Sequence, residues 1–195
     1  MAVGVFSCED SQQEMYILTL LLLWPILGGM PEAGSQAIPA PAASQPPKLT
    51  HAFTLRVQVG APVELGDVPR GRRRIIPILG GTFEGPDVRG RVLAGGADWQ
   101  VVRQDGLAEL DTRYTLQSDR GSLIYIQNAG IRHAPPDVTR KLLAGEAVDP
   151  SQVYFKTVPT FETSAPELQW LARAIFIGTG ERHPSEVVIR VWKVE

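Results

Sequence analysis

The sequence predicts an all-β domain, a closed or nearly closed antiparallel β-barrel of about 8–10 strands with one short helix. Three observations predict it. From His51 onward apolar residues alternate with polar ones at period two rather than 3.6. Glycine, proline and aspartate clusters interrupt the alternation at short intervals, as turns between strands do. The runs number about nine, more than an open twisted sheet usually holds, and their unbroken meander favours a barrel over a sandwich.

Phe53-Thr54-Leu55-Arg56-Val57-Gln58-Val59 opens the domain with apolar side chains on alternate positions, the pattern of a strand with one buried face. Further strands are expected over residues 74–79, 88–93, 99–103, 108–117, 122–129, 153–161, 170–177 and 187–194. Turn signals fall at Gly60-Ala61-Pro62, Gly85-Pro86-Asp87, Gln104-Asp105-Gly106, Ser118-Asp119-Arg120-Gly121 and Gly178-Thr179-Gly180. Asp105-Gly106 and Arg120-Gly121 lie at hairpin distance between consecutive runs, so antiparallel neighbours are expected there. Residues 136–145 alone read as a helix, with proline early, basic residues later and glycine at the end. Ala165-Pro166-Glu167-Leu168 suggests a further short turn of helix.

The 195 residues divide into a segment over 1–37, a Pro/Ala-rich linker over 38–48 and one barrel domain over 49–195. The uncharged run Tyr16-Ile17-Leu18-Thr19-Leu20-Leu21-Leu22-Leu23-Trp24-Pro25-Ile26-Leu27 has the length of a signal-peptide core, shorter than the ~20 apolar residues of a membrane span. It predicts a periplasmic or secreted protein with no stable membrane span after processing. No Lys or Arg precedes the run, whereas Glu9, Asp10 and Glu14 do, so a cytoplasmic protein is the alternative; translation from Met15 would reconcile the charge with export. Cleavage after Ala37 removes Glu9, Asp10, Glu14 and Glu32 and turns the formal net charge of −2 into about +2. Neither charge marks a nucleic-acid binder. Cys8 is the single cysteine, which excludes an intrachain disulfide and a cysteine-based metal cluster.

Candidate chemistry gathers around two glycine-rich strings, Gly80-Gly81-Thr82-Phe83-Glu84-Gly85 and Gly95-Gly96-Ala97-Asp98-Trp99. Paired glycines let backbone bend or approach a ligand closely, and Thr82, Glu84, Asp98 and Trp99 bring polar and aromatic groups to the same places. Glu84 and Asp98 are candidate acid–base carboxylates, with Phe83 or Trp99 as the apolar wall that raises a carboxyl pKa. The alternative is that the glycines are bulges or barrel corners and Asp98 accepts backbone hydrogen bonds. Strand parity over 109–117 places Glu109, Asp111, Arg113, Thr115 and Gln117 on one face and Leu110, Thr112, Tyr114 and Leu116 on the other. The polar face either lines the barrel, with Asp111 orienting Arg113 toward a ligand, or carries an ordinary surface ion pair. Because Arg113 and Tyr114 have opposite parity, a regular strand cannot aim both at one site. Phe161 shares a mostly apolar face with Phe155 and Thr157, as core or as pocket lining.

His51, His133 and His183 show no ligand spacing, so no metal is expected. The glycine strings match neither a phosphate-binding loop nor a dinucleotide fingerprint, and no nucleophile elbow occurs, so no cofactor is expected. Arg70-Gly71-Arg72-Arg73-Arg74 lacks interleaved aromatics and reads as a solvated loop, so no nucleic-acid partner is expected.

Gly80-Gly81-Thr82-Phe83-Glu84-Gly85, Gly95-Gly96-Ala97-Asp98-Trp99, Asp111-Thr112-Arg113-Tyr114-Thr115-Leu116, Gly130-Ile131-Arg132-His133 and Trp170-Leu171 through Gly178-Thr179-Gly180 together resemble the UPF0311 family, a domain of unknown function (DUF3237). The resemblance spans roughly residues 49–194. It implies an antiparallel β-barrel and leaves activity open. Similar sequences start close to the first barrel strand and carry Asn after Trp-Leu where this chain has Ala172, so no site role is expected at that position.

Two function classes follow. The first is an uncharacterised barrel that binds a small apolar or aromatic metabolite, with Thr82, Trp99, Asp111, Tyr114 and Phe161 as ligand-binding candidates. The alternative is a metal-independent lyase, isomerase or cyclase working at the barrel mouth, with Glu84, Asp98 and Arg113 as catalytic candidates. Either is compatible with a homo-oligomer.

Overall fold

The computed structural model describes residues 45–195. The expected signal segment, Cys8 and the linker up to Ser44 lie outside the described residues. Ten strands run in chain order: β1 (Leu49–Val59), β2 (Val63–Val68), β3 (Gly71–Glu84), β4 (Arg89–Val92), β5 (Ala97–Val102), β6 (Ala108–Ser118), β7 (Leu123–His133), β8 (Tyr154–Glu162), β9 (Phe176–Arg182) and β10 (Glu186–Val194). One α-helix, α1 (Pro136–Leu143), follows β7, and 3₁₀ helices cover Pro150–Gln152 and Pro166–Arg173.

All pairings are antiparallel, and the path β1-β10-β9-β8-β7-β6 is carried on to β3 by two short strands, β4 and β5. The ring closes because β3 also pairs with β1, Thr54 opposite Glu84 through Gln58 opposite Gly80. Closure pairs the long strands on both sides and leaves β2, paired with β3 alone, as a short edge. The β4 and β5 segments share one stave of an eight-stave barrel: β5 pairs with Arg72 through Pro77 of β3, and β4 with Gly81 through Glu84. Between them β3 passes through Gly80 and Gly81, at φ 144° and 137°, and a Cβ on Gly81 would lie 2.0 Å from the Arg56 carbonyl oxygen. The glycine pair that stands out in the sequence is thus the bend at which β3 changes partners while pressed against β1.

Three differences from the sequence reading have clear causes. Strand β2 escapes the period-two pattern because Gly66, at φ 86°, shifts its register against β3 between Glu64 and Gly66. Residues 170–177 do not form one strand, since a 3₁₀ helix runs to Arg173 and buries Leu168 and Leu171, and β9 begins at Phe176. Gly178-Thr179-Gly180 is not a turn but the middle of β9. A Cβ at Gly180 would lie 2.5 Å from the Phe155 ring and one at Gly178 would lie 2.1 Å from Thr157 Oγ1, so these glycines make room for large inward groups on β8.

The apolar core fills one end of the barrel. Phe53 packs edge to face on Phe83 and Phe161, and Phe161 on Phe176, with ring centroids 5.8, 5.7 and 5.1 Å apart, within the range such pairs prefer. Leu116, Ile124, Ile126 and Val191 surround the rings, and Leu168 and Leu171 of the 3₁₀ helix join the same cluster. Toward the opposite end a smaller cluster of Val102, Ala108, Leu110 and Phe155 packs with Leu143 at the end of α1.

Candidate functional site

Away from the phenylalanine end, the inward faces of eight strands (β1, β3, β5, β6, β7, β8, β9 and β10) surround a cavity. The cavity volume is about 40 Å³. Val57, Val59, Ile76, Ile78, Val187 and Ile189 form apolar wall, and Asp98, Gln100, Thr112, Tyr114, Asn128, Arg132, Thr157 and Arg182 bring polar groups into the same space.

Strand alternation places these groups. On β6 the inward parity is Leu110, Thr112, Tyr114 and Leu116, and on β7 it is Ile124, Ile126, Asn128 and Arg132, so each strand is apolar toward the closed end and polar toward the cavity. On β5, Asp98 and Gln100 share that parity.

Asp98 is held on several sides. Its Oδ1 accepts from the Asp111 backbone N–H at 3.1 Å, its Oδ2 accepts from Gln100 Nε2 at 3.1 Å, and the Thr112 side chain is a further partner. Burial nevertheless raises its pKa above the ordinary aspartate value, against the opposing pull of these hydrogen bonds and of Arg132. Gln100 in turn accepts from Arg74 Nε at 2.7 Å. Arg132 is buried on β7 with its guanidinium carbon 5.9 Å from the Phe155 ring centroid. Burial brings its pKa down to about 10; the Arg74 and Arg182 charges act in the same direction and Asp98 against them. Burial also raises the Tyr114 phenol above its ordinary value.

Three buried side-chain polar atoms among the described residues have no hydrogen-bond partner in the protein: Tyr114 Oη, Asn128 Oδ1 and Thr157 Oγ1. All three residues line this cavity. A buried polar atom without a partner in the protein costs about 1–3 kcal/mol, and three such atoms face the same cavity.

Among the residues singled out from the sequence, Asp98 and Tyr114 meet at the cavity. Phe161 packs instead in the phenylalanine cluster. Asp111 and Arg113 lie on the outer face of β6, where Arg113 Nη2 donates to Asp111 Oδ2 at 3.1 Å. Thr82, Glu84 and Trp99 are outward on β3 and β5. Among the described residues no three His, Cys, Asp or Glu side chains gather in a metal-binding group, and no helix there is long and apolar enough to cross a membrane.

The model of the family described as protein of unknown function (DUF3237) matches residues 47–194. The chain belongs to this family. It is 44% identical over 144 residues to the UPF0311 protein of Rhodopseudomonas palustris, covering 74% of this chain and 94% of that one. The crystal structure of that conserved protein of unknown function superposes with TM-score 0.75 at 41% identity, covering 78% of this chain and all of the other. A beta-barrel like protein from Acinetobacter baumannii matches at 42% identity and TM-score 0.69, over 78% of this chain and 98% of that one. More distantly, a Penicillium roqueforti protein named PR-toxin biosynthesis cluster protein 7 is 26% identical over 151 residues, 68% of this chain and 81% of its own.

Thr157 lies on the face that the sequence reads as core or pocket lining, whereas Gln100, Asn128, Arg132 and Arg182 are cavity residues that the sequence reading does not reach. Their signal is parity: a polar side chain in the apolar phase of a strand, as Asn128 and Arg132 continue the phase of Ile124 and Ile126.

Proposed function

We propose that the barrel binds a small, flat, largely apolar or aromatic metabolite carrying oxygen substituents, in the cavity beside Asp98 and Arg132. The observation that carries this reading is the convergence of Tyr114 Oη, Asn128 Oδ1 and Thr157 Oγ1, the unpartnered buried polar atoms, on one cavity with apolar walls. Apolar walls supply affinity by burial, and a few polar groups fix orientation. A thermal-shift screen of small ring metabolites tests it. Compounds are expected to raise the Tm of the wild-type protein and to do so less in the double variant Tyr114→Phe/Thr157→Val; equal shifts in both, or no shift with any compound, contradict the reading.

One observation favours a second reading, a metal-independent lyase, isomerase or cyclase. Asp98 is a carboxyl with raised pKa in the same cavity as a buried guanidinium, an arrangement that supports proton transfer with stabilisation of a developing negative oxygen. Here Asp98 gives or takes the proton and Arg132 steadies the charge. Asp98→Asn is then expected to retain ligand binding while losing turnover; retained turnover removes Asp98 from the chemistry. The relative from a toxin biosynthesis cluster is consistent with work on a small metabolite. The apolar run at 16–27 supports export, so the ligand would be met in the periplasm or outside the cell. Mass measurement of the protein recovered from culture medium or periplasm checks this, with a start at Ile38 expected and an intact Met1 opposing it.

A further inference from the structure

The cavity carries more positive charge than its own acid balances. Asp98 is the carboxylate among its lining residues, and Arg132 and Arg182 are the guanidinium groups. The oxygens of Asp98 are engaged by the Asp111 N–H, Gln100 and the Thr112 side chain, all neutral groups. Among the described residues neither Arg132 nor Arg182 has a carboxylate within 4.0 Å, and Arg182 Nη1 donates to the Glu186 backbone oxygen at 3.2 Å. Arg74, which hydrogen-bonds Gln100, is balanced separately by Glu64 at 3.8 Å. Asp98 acts on Arg132 through space, but one carboxylate set against two guanidinium groups leaves the hydration stripped by burial incompletely replaced, which is costly.

The geometry points to an anionic ligand: Arg132, with Arg182 beside it, is placed to receive the carboxylate or ionised phenol of a small ring compound whose body lies against the apolar wall. This rests on the reading of the cavity as a ligand site and adds the charge of the ligand to it. The guanidinium fork presents parallel N–H donors that match an oxyanion. Tyr114, Asn128 and Thr157 remain to pair with the other polar substituents of the same molecule, and Phe155 lies close enough for ring contact.

Calorimetric titration at pH 8 with benzoate, 4-nitrophenolate and the neutral benzamide tests the inference. Wild-type protein is expected to bind at least one of the two anions about tenfold or more tighter than benzamide. Which anion prevails identifies a carboxylate or a phenolate as the preferred source of the charge. In Arg132→Gln the preference is expected to collapse, and in Arg132→Lys to be partly restored. Should Arg132→Gln fail to fold, Asn128→Asp places a negative charge on the same wall and is expected to abolish the preference instead. Benzamide binding as tightly as both anions overturns the anion inference and leaves the cavity as a ligand site. Failure of all three to bind overturns both. An anion preference that survives in folded Arg132→Gln, or in Asn128→Asp, overturns the role given to Arg132.

Discussion

At one end of the barrel Phe53, Phe83, Phe161 and Phe176 interlock edge to face, and the 3₁₀ helix Pro166–Arg173 adds Leu168 and Leu171 to the same core. Toward the other end the same strands turn Asp98, Tyr114, Asn128, Arg132 and Thr157 inward around open space. Strand β7 shows the contrast within a single chain segment, since Ile124 and Ile126 face the first region and Asn128 and Arg132 the second. The difference teaches how one small barrel separates a packed apolar core from a polar-lined cavity. The phenylalanine end buries apolar area and fixes the ring of strands. The cavity end carries buried polar groups and buried charge, which do not favour the fold by themselves and, on the function proposed above, gain partners from a ligand.

Substitutions that treat the two ends alike break this account, and the largest effect belongs to the packed end. Phe53→Ala is expected to destabilise the protein by about 3–5 kcal/mol through loss of burial and a residual cavity, measured by urea unfolding. A cost under about 1 kcal/mol would mean that the aromatic cluster is not the stabilising core.

On the cavity wall, Gly180→Ala forces a methyl against the Phe155 ring, where the Cβ would stand 2.5 Å from it. Overpacking of that kind is expected to cost about 1–3 kcal/mol and to weaken ligand binding together with stability, because the ring is part of the cavity wall. Loss of stability with unchanged binding would separate Phe155 from the site.

A pH series sharpens the comparison through Asp98. Burial raises its pKa in the folded protein, so the folded state favours the protonated acid; this contribution to stability is complete below the unfolded-state pKa and is lost as pH rises through the folded value. The Tm of Asp98→Asn relative to wild type is therefore expected to improve as pH goes from 4 to 8, values that bracket the region above an ordinary aspartate pKa of about 3.9. A difference that shrinks over that range contradicts the burial argument. Phe53→Ala, by contrast, changes no titrating group and should show no such trend relative to wild type.

The smallest effect is expected on the outer face. Arg113→Ala removes an exposed ion pair with Asp111 and should leave both Tm and ligand binding unchanged. A large loss of binding would show that the β6 outer face takes part in recognition.

The barrel was legible because period-two alternation reports burial directly: β1, β6 and β7 are readable from their apolar phase alone. Glycines misled where their reason is tertiary. Gly178 and Gly180 look like a turn in sequence, and only the Thr157 and Phe155 side chains on the neighbouring strand explain why the middle of β9 carries no side chains there. Asp98 was legible as a carboxylate beside a glycine bend. Asn128 and Arg132 were not, because a polar residue in the apolar phase looks the same in sequence whether it faces a cavity, pairs within a core or marks a bulge. What distinguishes Asn128 is the missing hydrogen-bond partner, and what distinguishes Arg132 is its burial beside the cavity, both properties of the folded barrel.

The most direct test of the division between a packed end and a recognition end is the unfolding free energy of Tyr114→Phe without ligand, measured beside its ligand-induced Tm shift. The account predicts that stability is unchanged or rises by about 1 kcal/mol, since the lost hydroxyl has no partner in the protein, while the ligand shift falls. A stability loss of more than about 1 kcal/mol with the ligand shift intact would contradict it, by making Tyr114 Oη a structural group of the core.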